Sequence, residues 1–291
     1  MRIPKYVSPS SYQLFKADPI RYYLNYLSDN LETREPQNIH MAMGSAFDAF
    51  VKAQITEDLQ TSTRFDRRQL FEEQVATEFR SELWIKADML MRAYQECGAY
   101  GIAVADMGLA SLEPRFEFAV SATILGVPVF GKPDAFYHNK LGTPVILDWK
   151  VNSVLGGNNM KKKYFVTCHQ TKDCYKGVHI RSDSGLAVCT NYGLEDVDPS
   201  WAFQQFVYAI GLGSKIGDPF ITSIDQATGG PCFYTYRAHL GKGFQIRSAN
   251  GLKEMWDDIN SGYIFRQAGM SREENDLTIE RLESAKRDAY V

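Results

Sequence analysis

The sequence predicts an α/β fold: a mixed central sheet, laid down in the order β-β-β-α-β, behind an N-terminal helical region. Three observations carry that prediction. Helical periodicity dominates up to about residue 104. β-branched and aromatic runs then cluster between Leu112 and Lys150. Beyond a polar stretch, an amphipathic helix opening at Asp198-Pro199-Ser200 separates those strands from two further apolar runs, at residues 220–224 and 232–236.

Each element has its own signal. Ser8-Pro9 is a helix start, a capping hydroxyl followed by proline in the first turn. Pro19 breaks or restarts that helix. Residues 39–55 read as an amphipathic helix, with Met43, Phe47, Phe50 and Val51 on one stripe and Asp48 at its edge. Residues 66–104 stay helical through Leu70, Phe71, Val75, Phe79, Leu83, Met89 and Leu90, and are expected to form two helices. Strand character begins at Leu112 and passes through Phe116, Phe118, Val120 and Ile124. Turn signals at Leu125-Gly126-Val127-Pro128 and at residues 139–142 then divide the region into three strands, expected as a meander ending at Lys150. The helix from Asp198 ends near Gly213, the Gly229-Gly230 pair joins the last two strands, and a helix covers residues 242–259. A charged tail from Ser271 is helical at best and packs as a lid or mediates assembly. The expected organisation is therefore a helical region (1–110), a core (111–265) with an insertion (152–197), and a charged tail (266–291).

The chemistry concentrates at two strand ends. Pro144-Val145-Ile146-Leu147 is apolar enough for a buried strand, and it runs into Asp148-Trp149-Lys150. Alternation puts Asp148 and Lys150 on one face and Trp149 on the other. Asp134 follows Val127-Pro128-Val129-Phe130 within Gly131-Lys132-Pro133-Asp134. This hairpin-like spacing lets the two carboxylates meet across adjacent strands. Two carboxylates and an ammonium can bind a hard divalent cation and position a water, which is chemistry suited to phosphodiester hydrolysis. An acid at a strand end is more often a solvated rim, so the weight rests on the surrounding pattern.

That pattern runs along the chain in order: Ser8-Pro9-Ser10-Ser11-Tyr12, Asp18-Pro19-Ile20-Arg21-Tyr22-Tyr23-Leu24, Gly44-Ser45-Ala46-Phe47-Asp48, Glu113-Pro114-Arg115-Phe116, Pro133-Asp134, Asp148-Trp149-Lys150, and Gln204-Gln205-Phe206-Val207-Tyr208. With these segments the sequence resembles the PD-(D/E)XK nuclease superfamily, and within it the RecB-like, phage-type exonuclease branch. The resemblance implies a restriction-endonuclease-like core and a metal-dependent deoxyribonuclease using Mg²⁺ or Mn²⁺. It further implies an exonuclease acting on DNA ends or single strands in phage or bacterial recombination and repair. Asp134 and Asp148 would ligate the ion, with the backbone carbonyl of Trp149 a further ligand and Asp48 reaching it from the helical side. Lys150 would orient the attacking water. Gln204 and Tyr208, four apart on one helix face, would hold a backbone phosphate or brace Lys150. Glu113 is the weaker metal candidate, with Glu117 ranked below it. Two departures stand out. The family's usual histidine is Asp48 here, a harder ligand. Lys150 and Gln204 are also separated by a long insertion.

The formal net charge of −3 looks wrong for a nucleic-acid enzyme until its distribution is read. Between Val151 and Arg181 stand Lys161, Lys162, Lys163, Lys172, Lys176 and Arg181 against one acid, Asp173; that segment is +5 and the remainder −8. A basic run is often only a solvated loop. Beside the trio it reads as a phosphate-tracking flap, with Tyr164 available to stack on a base. The five cysteines form no Cys-x-x-Cys pair, so no iron–sulfur cluster is expected. Cys168, Cys174 and Cys189, with His169 and His179, match no zinc-finger spacing. No apolar run approaches a membrane span, and residues 1–5 lack the apolar segment of a signal peptide, so a cytoplasmic protein with no membrane partner is expected. A homo-oligomer, and a recombinase or single-strand-binding partner, accompany the exonuclease reading. The alternatives are a structure-specific or nicking endonuclease, and a non-catalytic DNA-binding or adaptor protein on the same fold.

Overall fold

The computed structural model describes residues 1–31, 36–109, 112–139, 141–152, 178–181, 185–188, 198–218, 220–228 and 232–288. Helices α1 (Pro9–Ala17) and α2 (Pro19–Tyr22) open the chain. The Ser8 side chain accepts from the Ser11 amide and Asp18 caps α2, satisfying amide groups that a helix start leaves unpaired. Next come α3 (Ile39–Asp58), capped by Asn38, then α4 (Arg67–Gln74), α5 (Arg80–Glu96) and α6 (Ala99–Gly108). The two helices expected over residues 66–104 are thus three. The backbone turns extended at Val75, and Gly98 takes a left-handed φ of 85° that few other residues adopt at low cost.

Nine strands are described: β1 (Arg115–Phe116), β2 (Val120–Ile124), β3 (Val127–Gly131), β4 (Ala135–His138), β5 (Pro144–Asn152), β6 (Val178–Arg181), β7 (Gly185–Val188), β8 (Ile221–Thr228) and β9 (Cys232–His239). The central sheet has the order β1-β4-β5-β8-β9, while β2-β3 and β6-β7 are separate two-stranded pairs. The expected three-strand meander is therefore corrected. β2 and β3 form their own hairpin, turned at Leu125 and Gly126, both at positive φ as a primed turn requires. Glu117, at φ 50°, turns the chain between β1 and β2, so residues 115–124 cannot run as one strand. The strand opposite β5 is instead β4, which begins directly after Asp134.

Every pairing in the central sheet is antiparallel except β5 with β8. A parallel pair needs a crossover, and helix α7 (Pro199–Gly211) lies in it. The sheet is covered on both faces. Val145, Leu147 and Trp149 pack with α3 to α6, whereas Ile146 packs with α1, α2, the β2-β3 hairpin, α7 and α8 (Lys242–Ser261). The N-terminal helices thus divide between the two faces. Helix α9 (Arg272–Asp288) follows, with Ile279 and Leu282 against the second of these cores. No described helix is long and apolar enough to cross a membrane.

Candidate active site

The β4-β5 register pairs Ala135 with Leu147; one step further along it, Asp134 faces Asp148. Their carboxyl groups lie close enough for each to shift the proton affinity of the other. The Trp149 amide donates to Asp134 Oδ2 at 2.9 Å, fixing that side chain against β5. Alternation turns the Trp149 indole to the other face, where its Nε1 donates to the Tyr94 hydroxyl at 3.2 Å and Tyr94 in turn bonds Asp225. This buried set anchors β5 from beneath, and the sequence alone did not suggest it.

Lys150 lies on the Asp148 face. Its ammonium pairs with Asp148 and donates to Gln204 Oε1 at 2.9 Å; Gln204 Nε2 donates to the Tyr208 hydroxyl oxygen at 2.6 Å. Gln204 and Tyr208 are one turn apart on α7, as the helical spacing requires. Tyr208 is held by its fit against β3: a Cβ added to Gly131 would lie 2.5 Å from the Tyr208 ring. A cavity of about 410 Å³ opens here, lined in part by Ser8, Ser10, Lys132, Lys150, Trp201 and Gln204.

From the other side, α3 brings Asp48 and one residue that sequence reasoning missed, Lys52. The Lys52 side chain is only 2% exposed. Its ammonium donates to Asp48 Oδ2 at 2.7 Å, lies 3.9 Å from Asp134 Oδ1 and pairs with Glu117. Glu117 also pairs with Lys132. Of the two candidate glutamates, Glu117 thus meets the cluster, whereas Glu113 is exposed with its carboxylate accepting from the Ser62 amide and hydroxyl. Lys52 gave little signal because a lysine at the edge of an amphipathic helix normally reads as solvated.

Burial sets the proton affinities. It raises Asp148 well above the ordinary carboxylate range, and the Asp134 charge adds to this while Lys150 opposes it. Burial pushes Asp134 the same way, but Lys52, the neighbouring Asp148 carboxyl group, Lys150 and the Trp149 amide together outweigh it and hold Asp134 low. Within the dyad, Asp148 therefore has the higher proton affinity and Asp134 the lower. Asp48 is raised to about 7, mainly by burial, against the pull of Lys52.

Among the described residues no group of three or more Asp, Glu, His or Cys side chains is arranged to hold a metal ion. The donors nevertheless suit a hard ion that keeps much of its water. Asp134 and Asp148 are in contact, and Asp48 Oδ1 is buried without a hydrogen-bond partner. Mg²⁺ is commonly held by one or two carboxylates plus substrate phosphate. The basic candidates Lys161, Lys162, Lys163, Lys172 and Lys176, and Tyr164, lie outside the described residues, as do Cys168, His169, Cys174 and Cys189 and the Gly229-Gly230 turn; of Arg181 only the backbone, in β6, is described.

A family model of the PD-(D/E)XK nuclease superfamily matches residues 6–165, more than half of the chain. The chain belongs to the PD-(D/E)XK nuclease superfamily, whose chemistry is phosphodiester hydrolysis, generally with divalent metals and on DNA. Among solved structures it is similar to a protein from Eubacterium rectale named as a candidate exonuclease, at 14% identity and a TM-score of 0.43, over 91% of this chain and 86% of that one. It also aligns with SSO0001, at 10% identity and a TM-score of 0.28, over 90% of this chain and 96% of the other. No curated protein matches the chain in sequence.

Proposed function

We propose that the chain is a Mg²⁺- or Mn²⁺-dependent DNA exonuclease of the RecB-like, phage-type branch, working on DNA ends in recombination or repair in the bacterial cytoplasm, that of the host if phage-encoded. The observation that carries this reading is the convergence of α3, the β4-β5 pair and α7 on one carboxylate dyad. Those elements hold Asp134, Asp148, Lys150, Gln204 and Tyr208 at the motif positions of that branch in its order, with Asp48 where the branch usually has histidine. Residues 1–110, 111–265 and 266–291 are proposed as helical region, nuclease core and tail.

Asp134 and Asp148 would hold the ion, with Asp48 reaching it from α3. When bound, the ion supplies a polarised phosphate and a water of lowered pKa. Lys150, oriented by Gln204, offsets negative charge developing on the phosphate and directs the water. Tyr208 fixes the Gln204 amide so that its oxygen faces the ammonium. Lys132, paired with Glu117 and more than half exposed, would meet the flanking phosphate.

Cleavage assays on linear and closed circular DNA, with Mg²⁺, Mn²⁺ or chelator, test the reading. Metal-dependent loss of linear DNA only, abolished in Asp134→Ala, Asp148→Ala and Lys150→Ala, is expected. Cleavage of the circle would make the protein an endonuclease. Binding without cleavage under any of these ions would make it an adaptor on the nuclease fold.

A further inference from the structure

Lys52 is the cluster's unexpected member. An ammonium withdrawn from water is costly unless carboxylates surround it. Here three do: Asp48 Oδ2 at 2.7 Å, Asp134 Oδ1 at 3.9 Å, and Glu117 in contact. These contacts occupy Asp48 Oδ2 and face Asp134 Oδ1, oxygens that a second cation on the α3 side would need, and leave Asp48 Oδ1 for the ion held with Asp148. The opposite side of Asp134 faces Asp148 and Lys150. The carboxylates thus form two compartments, each with one ammonium: Lys150, partly exposed, pairs with Asp148, whereas Lys52, only 2% exposed, is enclosed by three carboxylates.

We propose that Lys52 takes the place of a second divalent cation, so that the protein holds a single ion per chain, on the Asp134-Asp148 side. This rests on the metal-dependent reading above and deepens it. Formal charge supports it. The four carboxylates Asp48, Glu117, Asp134 and Asp148 stand against the three ammonium groups of Lys52, Lys132 and Lys150. With all of them ionised the cluster is near −1; one divalent ion makes it +1, and a second would leave +3 before any phosphate arrived. Two-metal sites place their ions about 3.5–4 Å apart, sharing a carboxylate. A covalently tethered ammonium beside Asp134 pre-empts that arrangement. Lys52 is by this account a positioning and selectivity residue, and it touches no reacting atom.

The test counts ions. Metal-free full-length protein is titrated with Mn²⁺, with free ion followed by electron paramagnetic resonance and binding by calorimetry. Wild type should bind one ion, and Asp134→Asn should weaken that binding at least tenfold. Lys52→Met should bind a second ion, or bind it at least tenfold more tightly than wild type does, whereas Lys52→Arg should keep the single-ion pattern. Circular dichroism establishes that each variant is folded; should Lys52→Met fail to fold, the wild-type stoichiometry still decides. Two ions of comparable affinity in wild type would overturn the inference, as would a folded Lys52→Met that still binds only one. Both results leave the nuclease reading intact. A single ion indifferent to Asp134→Asn would remove the metal site itself, and with it both readings.

Discussion

Asp148 bears the greatest conflict between folding and function at the residue scale. It is 1% exposed, and burial together with the Asp134 charge raises its pKa well above that of an unfolded aspartate. The folded state therefore binds a proton that the unfolded state releases near pH 4. Stability contributed by that proton is complete below the unfolded pKa and is lost as pH rises towards the folded one. Asn at this position mimics the protonated form and carries no such loss. Metal-free Asp148→Asn should therefore melt above metal-free wild type at pH 8, with the gap closing towards pH 4, while its nuclease activity is lost; thermal melts in chelator across that range check it. Each unit of pKa displacement corresponds to about 1.4 kcal/mol. The same residue illustrates what the sequence discloses. Asp134, Asp148 and Lys150 were legible because strand alternation and spacing brought them together without tertiary knowledge. Lys52 and the Tyr94-Asp225 pair were not, because their burial depends on segments distant in the chain.

At the scale of elements, the contact of α7 with β3 controls the site. Gly131 and Gly211 are both places of close approach: a Cβ on the first would meet the Tyr208 ring at 2.5 Å, and on the second the Val120 side chain at 2.7 Å. Gly131→Ala should thus displace Tyr208, loosen the Gln204 amide and leave Lys150 less well directed. Overpacking of this kind typically costs about 1–3 kcal/mol. The expected result is a lowered melting temperature and a fall in kcat exceeding any change in KM. Gly131→Ala combined with Tyr208→Leu should regain stability but not rate, because space is restored and the hydroxyl is not. The helices and strands of this region were readable from capping residues and β-branched runs. Their assignment to sheets was less so, since the meander and the hairpin share one hydrophobic pattern. The difference lay in backbone conformation at Glu117, where φ is positive without a glycine to announce it.

For the whole molecule, charge distribution governs partners more than net charge does. On the proposed reading, the four clustered carboxylates, with the Asp48 Oδ1 buried and unpaired, would be relieved by a bound cation. Mg²⁺ or Mn²⁺ at about 100 times its dissociation constant should add about 2.7 kcal/mol of stability, or roughly 5–10 °C in Tm. The shift should vanish with chelator and in Asp134→Asn. On the same reading, DNA affinity should be set by the contrast between the +5 segment 151–181 and the −8 remainder. With the rest of the surface repelling a polyanion, binding should depend steeply on the few basic residues available. Each phosphate neutralised on duplex DNA contributes about 0.9 to the slope of log affinity against log salt. Replacing Lys161, Lys162 and Lys163 together with alanine should therefore flatten that slope by up to about 2.7 and weaken binding alike for every sequence. Fluorescence anisotropy on a labelled duplex, from low to physiological salt, measures both quantities. An unchanged slope would place those lysines away from the DNA and return the +5 segment to the role of a solvated loop.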